Sequence, residues 1–168
     1  MKLSLIANPS AGGGRTGRAL NGVEQTLSRL GLEHHTELTR SLEHARELAA
    51  DAAAAGEVAV AFGGDGLIGA VAGSLRHTDG VLGVLPGGRG NDFARALGIP
   101  LDPVAACEVL ARGAEAMAKD DGQLRTDARL LLNDFHFRRP KPRRDVHHVC
   151  AWGGLFPAAA LGRKGNRP

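Results

Sequence analysis

Apolar and polar positions change period along the first two thirds of the chain, and each change marks an element. Residues 2–8 are an apolar-rich run closed by Pro9 and a glycine cluster, which predicts a buried first strand. Beyond Gly14, Leu20, Val23, Leu27 and Leu30 fall on one helical face, with Gly31 as the C-terminal stop. Residues 34–38 predict a short second strand. Ser41 predicts an N-cap, Glu43 lies where the helix dipole favours an anion, and Ala45, Leu48, Ala49, Ala52 and Ala53 form a buried stripe that Gly56 ends. A third apolar run, 58–62, leads directly into Gly63-Gly64-Asp65-Gly66, after which residues 67–75 return to helical spacing. Residues 81–85 predict a fourth strand before Pro86-Gly87-Gly88-Arg89-Gly90. A short helix follows from Asn91 to Leu97, and Asp102 caps a last helix that ends near Arg112.

Strands alternating with helices predict an α/β fold: an open, mostly parallel sheet with helices on both faces, because parallel neighbours need a crossover. Ligands in such sheets bind beyond the carboxyl ends of the strands, where three glycine-rich loops of this sequence lie. Past Gly113 the periodicity decays. Residues 130–132 and 135–137 offer strand fragments, and 149–161 has no clear period. The expected organisation is one nucleotide-binding domain, 1–113, and an irregular basic tail, 114–168, with the look of a truncated or frame-shifted end.

A length of 168 residues suits one domain, and 24 glycines with 4% aromatics suit an aliphatic core with functional loops. The net charge of +3 conceals an asymmetry: residues 134–168 hold 8 basic and 2 acidic side chains, leaving 13 basic against 16 acidic before them. The run Arg138-Arg139-Pro140-Lys141-Pro142-Arg143-Arg144 reads as a solvated extension; nonspecific attraction to nucleic acid or anionic lipid is all its charge offers, so no specific nucleic-acid partner is expected. The first residues are too short an apolar run for a signal segment, and Cys107 and Cys150 form no CxxC pattern, so a cytoplasmic protein is expected.

Gly12, Gly14 and Gly17 form a GxGxxG with Glu37 twenty residues on, the fingerprint of a dinucleotide-binding Rossmann oxidoreductase. Asn8-Pro9-Ser10-Ala11 intervenes, however, and Pro9 breaks the tight strand-to-helix turn that fingerprint needs. A P-loop reading fails where Arg18-Ala19 stands in place of lysine and a hydroxyl residue. Gly63-Gly64-Asp65-Gly66 carries more weight: it joins a buried strand to a helix N-terminus, where bare backbone admits phosphate oxygens and the amides donate to them. Asp65 beside a phosphate calls for a cation or a proton. The third loop places Asn91 or Asp92 as an N-cap, with Phe93 and Leu97 in the core. His147, His148 and Cys150 are the best metal-binding cluster and read as coincidence in a basic tail.

Asn8-Pro9-Ser10-Ala11-Gly12, Gly63-Gly64-Asp65-Gly66 and Gly90-Asn91-Asp92-Phe93-Ala94-Arg95, in that order and separation, resemble the diacylglycerol kinase catalytic domain. The resemblance implies a first domain similar to those of NAD kinase and phosphofructokinase. It implies ATP-dependent, magnesium-assisted transfer of a γ-phosphoryl group to a lipid hydroxyl, such as that of diacylglycerol or a sphingoid base, with peripheral membrane contact. By motif, Asn8, Thr39 and Gly63 to Gly66 line the nucleotide, and Gly90, Asn91 and Asp92 close the pocket near the phosphates. Asp65 is the charged participant, through magnesium or the attacking hydroxyl.

The sequence also departs from the family pattern. Leu67, Gly69 and Ala70 stand where the family commonly has Thr and then an Asn-Glu pair, and Gly88-Arg89 replaces Gly-Thr, which offers a guanidinium to phosphate where a hydroxyl was. Nothing beyond Gly113 resembles the β-rich second half that supplies lipid contacts, a metal site and a general base. The expectation is weak nucleotide binding with little or no kinase activity in this chain. The competing expectations are a noncatalytic nucleotide-binding fragment, an NAD kinase, and the Rossmann oxidoreductase.

Overall fold

The structure, a computed structural model, describes residues 1–76, 78–119 and 155–157. The elements run β1 (Leu3–Ala7), α1 (Ala11–Arg29), β2 (His34–Leu38), α2 (Leu42–Ala54), β3 (Val58–Gly63), α3 (Asp65–Ser74), β4 (Val81–Pro86), α4 (Asp92–Ala96), α5 (Pro103–Lys119) and β5 (Leu155–Pro157). The sheet order is β2-β1-β3-β4-β5. The first four strands are parallel; β5 pairs antiparallel with β4, Gly83 facing Leu155.

Every residue of β1, β3 and β4 is buried, as strands covered on both faces require, whereas β2 at the edge is half-buried to exposed. Helix α1 packs with α5, and α2 packs with α3. That grouping follows from the order of strands: the chain moves outward from β1 to β2, then returns past β1 to β3 and β4, so the crossovers fall on opposite faces. The α/β expectation of a mostly parallel open sheet is met. The core joins Leu5, Ile6, Val60, Phe62, Leu82 and Leu85 of the sheet to Val23 and Leu27 of α1, Ala45 and Ala49 of α2, Ile68 and Val71 of α3, and Leu110 of α5.

Local signals hold closely. The Ser41 hydroxyl oxygen accepts the His44 N–H at 3.0 Å, and Asp102 Oδ1 accepts the Ala105 N–H at 2.9 Å, with Pro103 opening α5. Leu48 and Ala53 are only half-buried at the margin of the α2 stripe.

Two expectations need correction. Helix α5 does not stop near Arg112 but runs to Lys119. Burying Ala106, Cys107, Leu110 and Ala114 on the core outweighs the roughly 1 kcal/mol cost of Gly113 in a helix. Strand β5 lies in the segment that shows no period in sequence, because three residues on a strand edge are too few to establish one. The strand fragments at 130–132 and 135–137, and His147, His148 and Cys150, lie outside the described residues.

Candidate nucleotide site

At the carboxyl edge of the parallel strands, β1 ends into Asn8, β2 into Thr39, β3 into Gly64 and β4 into Gly87. The switch point of the sheet falls between β1 and β3. There the Asn8 N–H donates to Phe62 O at 3.1 Å, and the Thr39 N–H donates to Ala7 O at 2.8 Å. Asn8 also turns its side chain onto its own loop, Oδ1 accepting the Ser10 N–H at 3.1 Å.

The three glycine loops meet backbone to backbone. A Cβ on Gly88 would lie 2.5 Å from Gly64 Cα, and one on Gly12 would lie 2.4 Å from Gly87 O. Glycine is therefore required at these positions by contact. The Gly87 N–H donates to Gly63 O at 2.7 Å, which continues the β3–β4 ladder into the loops. Gly12, Gly13 and Gly14 have φ of 62°, 71° and 82°, three successive left-handed residues that no run of ordinary side chains adopts. Gly17 packs against Pro9 O, where a Cβ would stand at 3.1 Å. The GxGxxG spacing is thus used to seat the first loop beneath the third and against Pro9.

Asp65 opens α3, and its carboxylate reaches across to the third loop: Oδ1 accepts the Phe93 N–H at 3.0 Å and Oδ2 the Asp92 N–H at 3.2 Å. It caps α4 from another element. The expected local cap is absent: Asn91 sits at φ 54°, makes no cap bond, and folds back so that its Oδ1 accepts the Gly88 N–H at 2.8 Å while its Nδ2 donates to Gly88 O at 3.0 Å. A buried amide that satisfies both ends on one glycine locks the loop into a single shape. Phe93 and Leu97 enter the core as expected.

Thr16 and Arg15 were not among the expected site residues. Buried Thr16 donates its hydroxyl to Gly87 O at 3.2 Å, and Arg15 donates to Gly88 O at 3.4 Å. A signal for Thr16 existed: it extends the stripe of Leu20, Val23 and Leu27 by one further turn with a polar residue at a core position. The structure therefore brings Asn8, Gly63, Gly64, Asp65, Arg89, Gly90, Asn91 and Asp92 to one edge, with Thr39 on the flank and Gly66 facing open space.

Residues 2–119 match the family model of the diacylglycerol kinase catalytic domain. The chain belongs to that family. It is 35% identical over 114 residues to a diacylglycerol kinase of Mycobacterium tuberculosis, an overlap of 67% of this chain and 37% of the relative. It is 38% identical over 103 residues to a diacylglycerol kinase of Bacillus subtilis, covering 60% of this chain and 34% of that one. A solved diacylglycerol kinase structure from Bacillus anthracis superposes with a TM-score of 0.59 at 28% identity over 66% of this chain and 39% of that one. The chain thus spans somewhat over a third of the length of these diacylglycerol kinase relatives. The wide separation of its three motifs is accounted for by the fold, which returns each to the same sheet edge.

The departures from the family pattern are also visible. Leu67 and Ala70 are buried, and Leu67 Cδ2 lies 2.8 Å from where a Gly63 Cβ would stand, so Leu67 packs on the end of β3. Asp92 has Arg95 within 3.5 Å of Oδ1. Among the described residues no group of three or more His, Cys, Asp or Glu gathers as a metal site, and no helix is long and apolar enough to cross a membrane.

Proposed function

We propose that this sheet edge is the ATP site of a lipid kinase that transfers the γ-phosphoryl group to a lipid hydroxyl, with diacylglycerol or a sphingoid base as the acceptor class. The observation that carries the reading is the backbone contact of the Gly63–Gly66 and Gly87–Gly90 loops at the carboxyl ends of β3 and β4, next to the switch point and beside an α3 N-terminus whose N-cap residue makes no side-chain cap bond. First-turn N–H groups without an intrahelical acceptor, on a glycine-rich rim, suit an oligophosphate. Asn8 and Thr39 flank the nucleoside end, and Gly64, Gly66, Gly90, Asn91 and Asp92 the phosphate end.

The residues present do not fit a resident magnesium ion. Both Asp65 oxygens hold backbone amides and Asp92 lies against Arg95, so magnesium would arrive on the nucleotide's own phosphates. Asp65 acts as a positioning residue that ties the third loop to the phosphate cradle. With Leu67 and Ala70 where the family commonly carries a hydroxyl and a carboxylate, binding exceeds turnover, and phosphorylation of lipid by residues 1–168 is weak or absent. Any membrane contact is peripheral.

Titration of the purified chain with ATP and separately with NADH tests the reading. ATP binding that Gly64→Val abolishes, because its Cβ would meet Gly88 Cα at 3.3 Å, supports it. Binding of NADH alone, removed by Gly14→Val, sinks it in favour of an oxidoreductase. A coupled assay with diacylglycerol in mixed micelles measures turnover, and robust phosphorylation would refute the weak-activity part.

A further inference from the structure

Three arginines crowd the first glycine turn. Arg18 donates to Gly13 O at 3.3 Å, an Arg89 amino group lies 3.8 Å from the Cβ position of the same Gly13, and Arg15 reaches Gly88 O at 3.4 Å. Arg15 and Arg18 come from the start of α1 and Arg89 from the loop after β4, so the close packing of Gly12 on Gly87 draws the three together. All are exposed, and among the described residues none has a carboxylate within 4 Å; the ion pairs there engage Lys2, Arg29, His35, Arg46 and Arg95 instead. Among the described residues each guanidinium makes at most one hydrogen bond to a backbone oxygen, out of its five donors. Like charges held close without a counter-ion repel, and an oligoanion relieves that repulsion.

We infer that Arg15, Arg18 and Arg89 form a guanidinium collar that binds the oligophosphate itself, so that this chain holds nucleoside triphosphates through arginine without needing a divalent cation. The inference rests on the nucleotide reading above and deepens it. Planar forked donors match phosphate oxygens in a way a single hydroxyl cannot, and Arg89 stands where the sequence pattern otherwise places a hydroxyl. With both Asp65 oxygens committed to amides, the collar is what neutralises phosphate at this edge.

The test is calorimetric titration of the full chain with ATP, AMP and inorganic triphosphate, each in EDTA and in magnesium. The collar predicts that triphosphate alone binds, displaces ATP, and does so at least as tightly in EDTA as in magnesium. Arg89→Gln should weaken triphosphate and ATP about tenfold, and the combination Arg15→Gln, Arg18→Gln, Arg89→Gln about a hundredfold or more, leaving AMP nearly unchanged. The combination Arg29→Gln, Arg76→Gln, Arg112→Gln removes the same charge elsewhere and should leave all three ligands unaffected; circular dichroism melts confirm that both triple variants fold. Triphosphate that fails to bind in EDTA, or binds equally to both triple variants, overturns the collar even if ATP still binds. Triphosphate binding that depends on the three arginines while neither ATP nor AMP shows an adenosine contribution upholds the collar and defeats the nucleotide reading. Sedimentation with phosphatidylglycerol vesicles that depends on the trio, without triphosphate binding, also overturns it by assigning the arginines to a lipid surface.

Discussion

The two edges of the parallel sheet use their charge in opposite ways. At the amino edge, Glu57 is largely buried and paired: Lys2 Nζ lies 2.9 Å from one oxygen, with the His35 ring 3.6 Å from the other. The hydrogen bond to Glu57 raises the Lys2 ammonium above its ordinary range. A depression of about 400 Å³ nearby is bounded by Ser28, Gly31, Leu32, Glu33 and His34. At the carboxyl edge Arg15, Arg18 and Arg89 have no carboxylate partner among the described residues, and the hydrogen bonds of the loops go to one another. Paired charge closes a surface; unpaired charge over a rigid glycine frame leaves it ready for an anion.

That contrast can be broken most severely at Gly88. Gly88→Ala forces a methyl group to 2.5 Å from Gly64 Cα, backbone that cannot swing aside, and to 2.9 Å from the Asn91 Oδ1 that holds the loop. A loss of about 2 kcal/mol of stability is expected in urea unfolding, together with at least a tenfold loss of ATP affinity. Unchanged ATP binding would show that loop contact is not what builds the site.

Asp65 comes next. Asp65→Ala removes the carboxylate that accepts the Asp92 and Phe93 N–H groups and should cost about 1 to 2 kcal/mol, whereas Asp65→Asn keeps one acceptor oxygen and should recover part of that. Recovery of ATP affinity by Asn in the same proportion marks a positioning role. An Asn variant as defective in binding as Ala would point to the charge itself.

A smaller effect comes from the core, away from both edges. Burial pushes the Cys107 thiol up to about 12. A folded pKa above the unfolded one contributes stability that is full below the ordinary thiol pKa and is lost as pH rises toward the folded value. The melting temperature should therefore fall between about pH 9 and 12, and Cys107→Ala should flatten that slope without altering ATP binding at pH 7. The smallest effect is expected at the amino edge. Glu57→Gln should lower the melting temperature less than Gly88→Ala does and leave ATP and triphosphate affinities unchanged, and a change in either would mean that the two edges are coupled.

The strands and helices were legible because their signals are local. A helical face needs only the spacing of Leu20, Val23 and Leu27, and a cap needs only Ser41 three residues before His44. The three glycine loops were legible as motifs for the same reason, and their order carried the family. The capping of α4 by Asp65 was not, since donor and acceptor lie 27 residues apart and Asn91, the expected cap, is diverted onto Gly88. Nor did any spacing show that Arg15 and Arg18 would stand beside Arg89, or that Thr16 would bond Gly87.

The amino-acid sequence by itself determined the period of each element, the carboxyl-edge position of its loops and their likeness to a lipid kinase, because backbone preference and side-chain periodicity act over a few residues. Only the tertiary structure decided which loop touches which, what Asp65 holds and which charges stay unpaired. Those depend on the β2-β1-β3-β4 order, which brings residues 8, 65 and 89 to one edge through contacts between residues far apart in the chain.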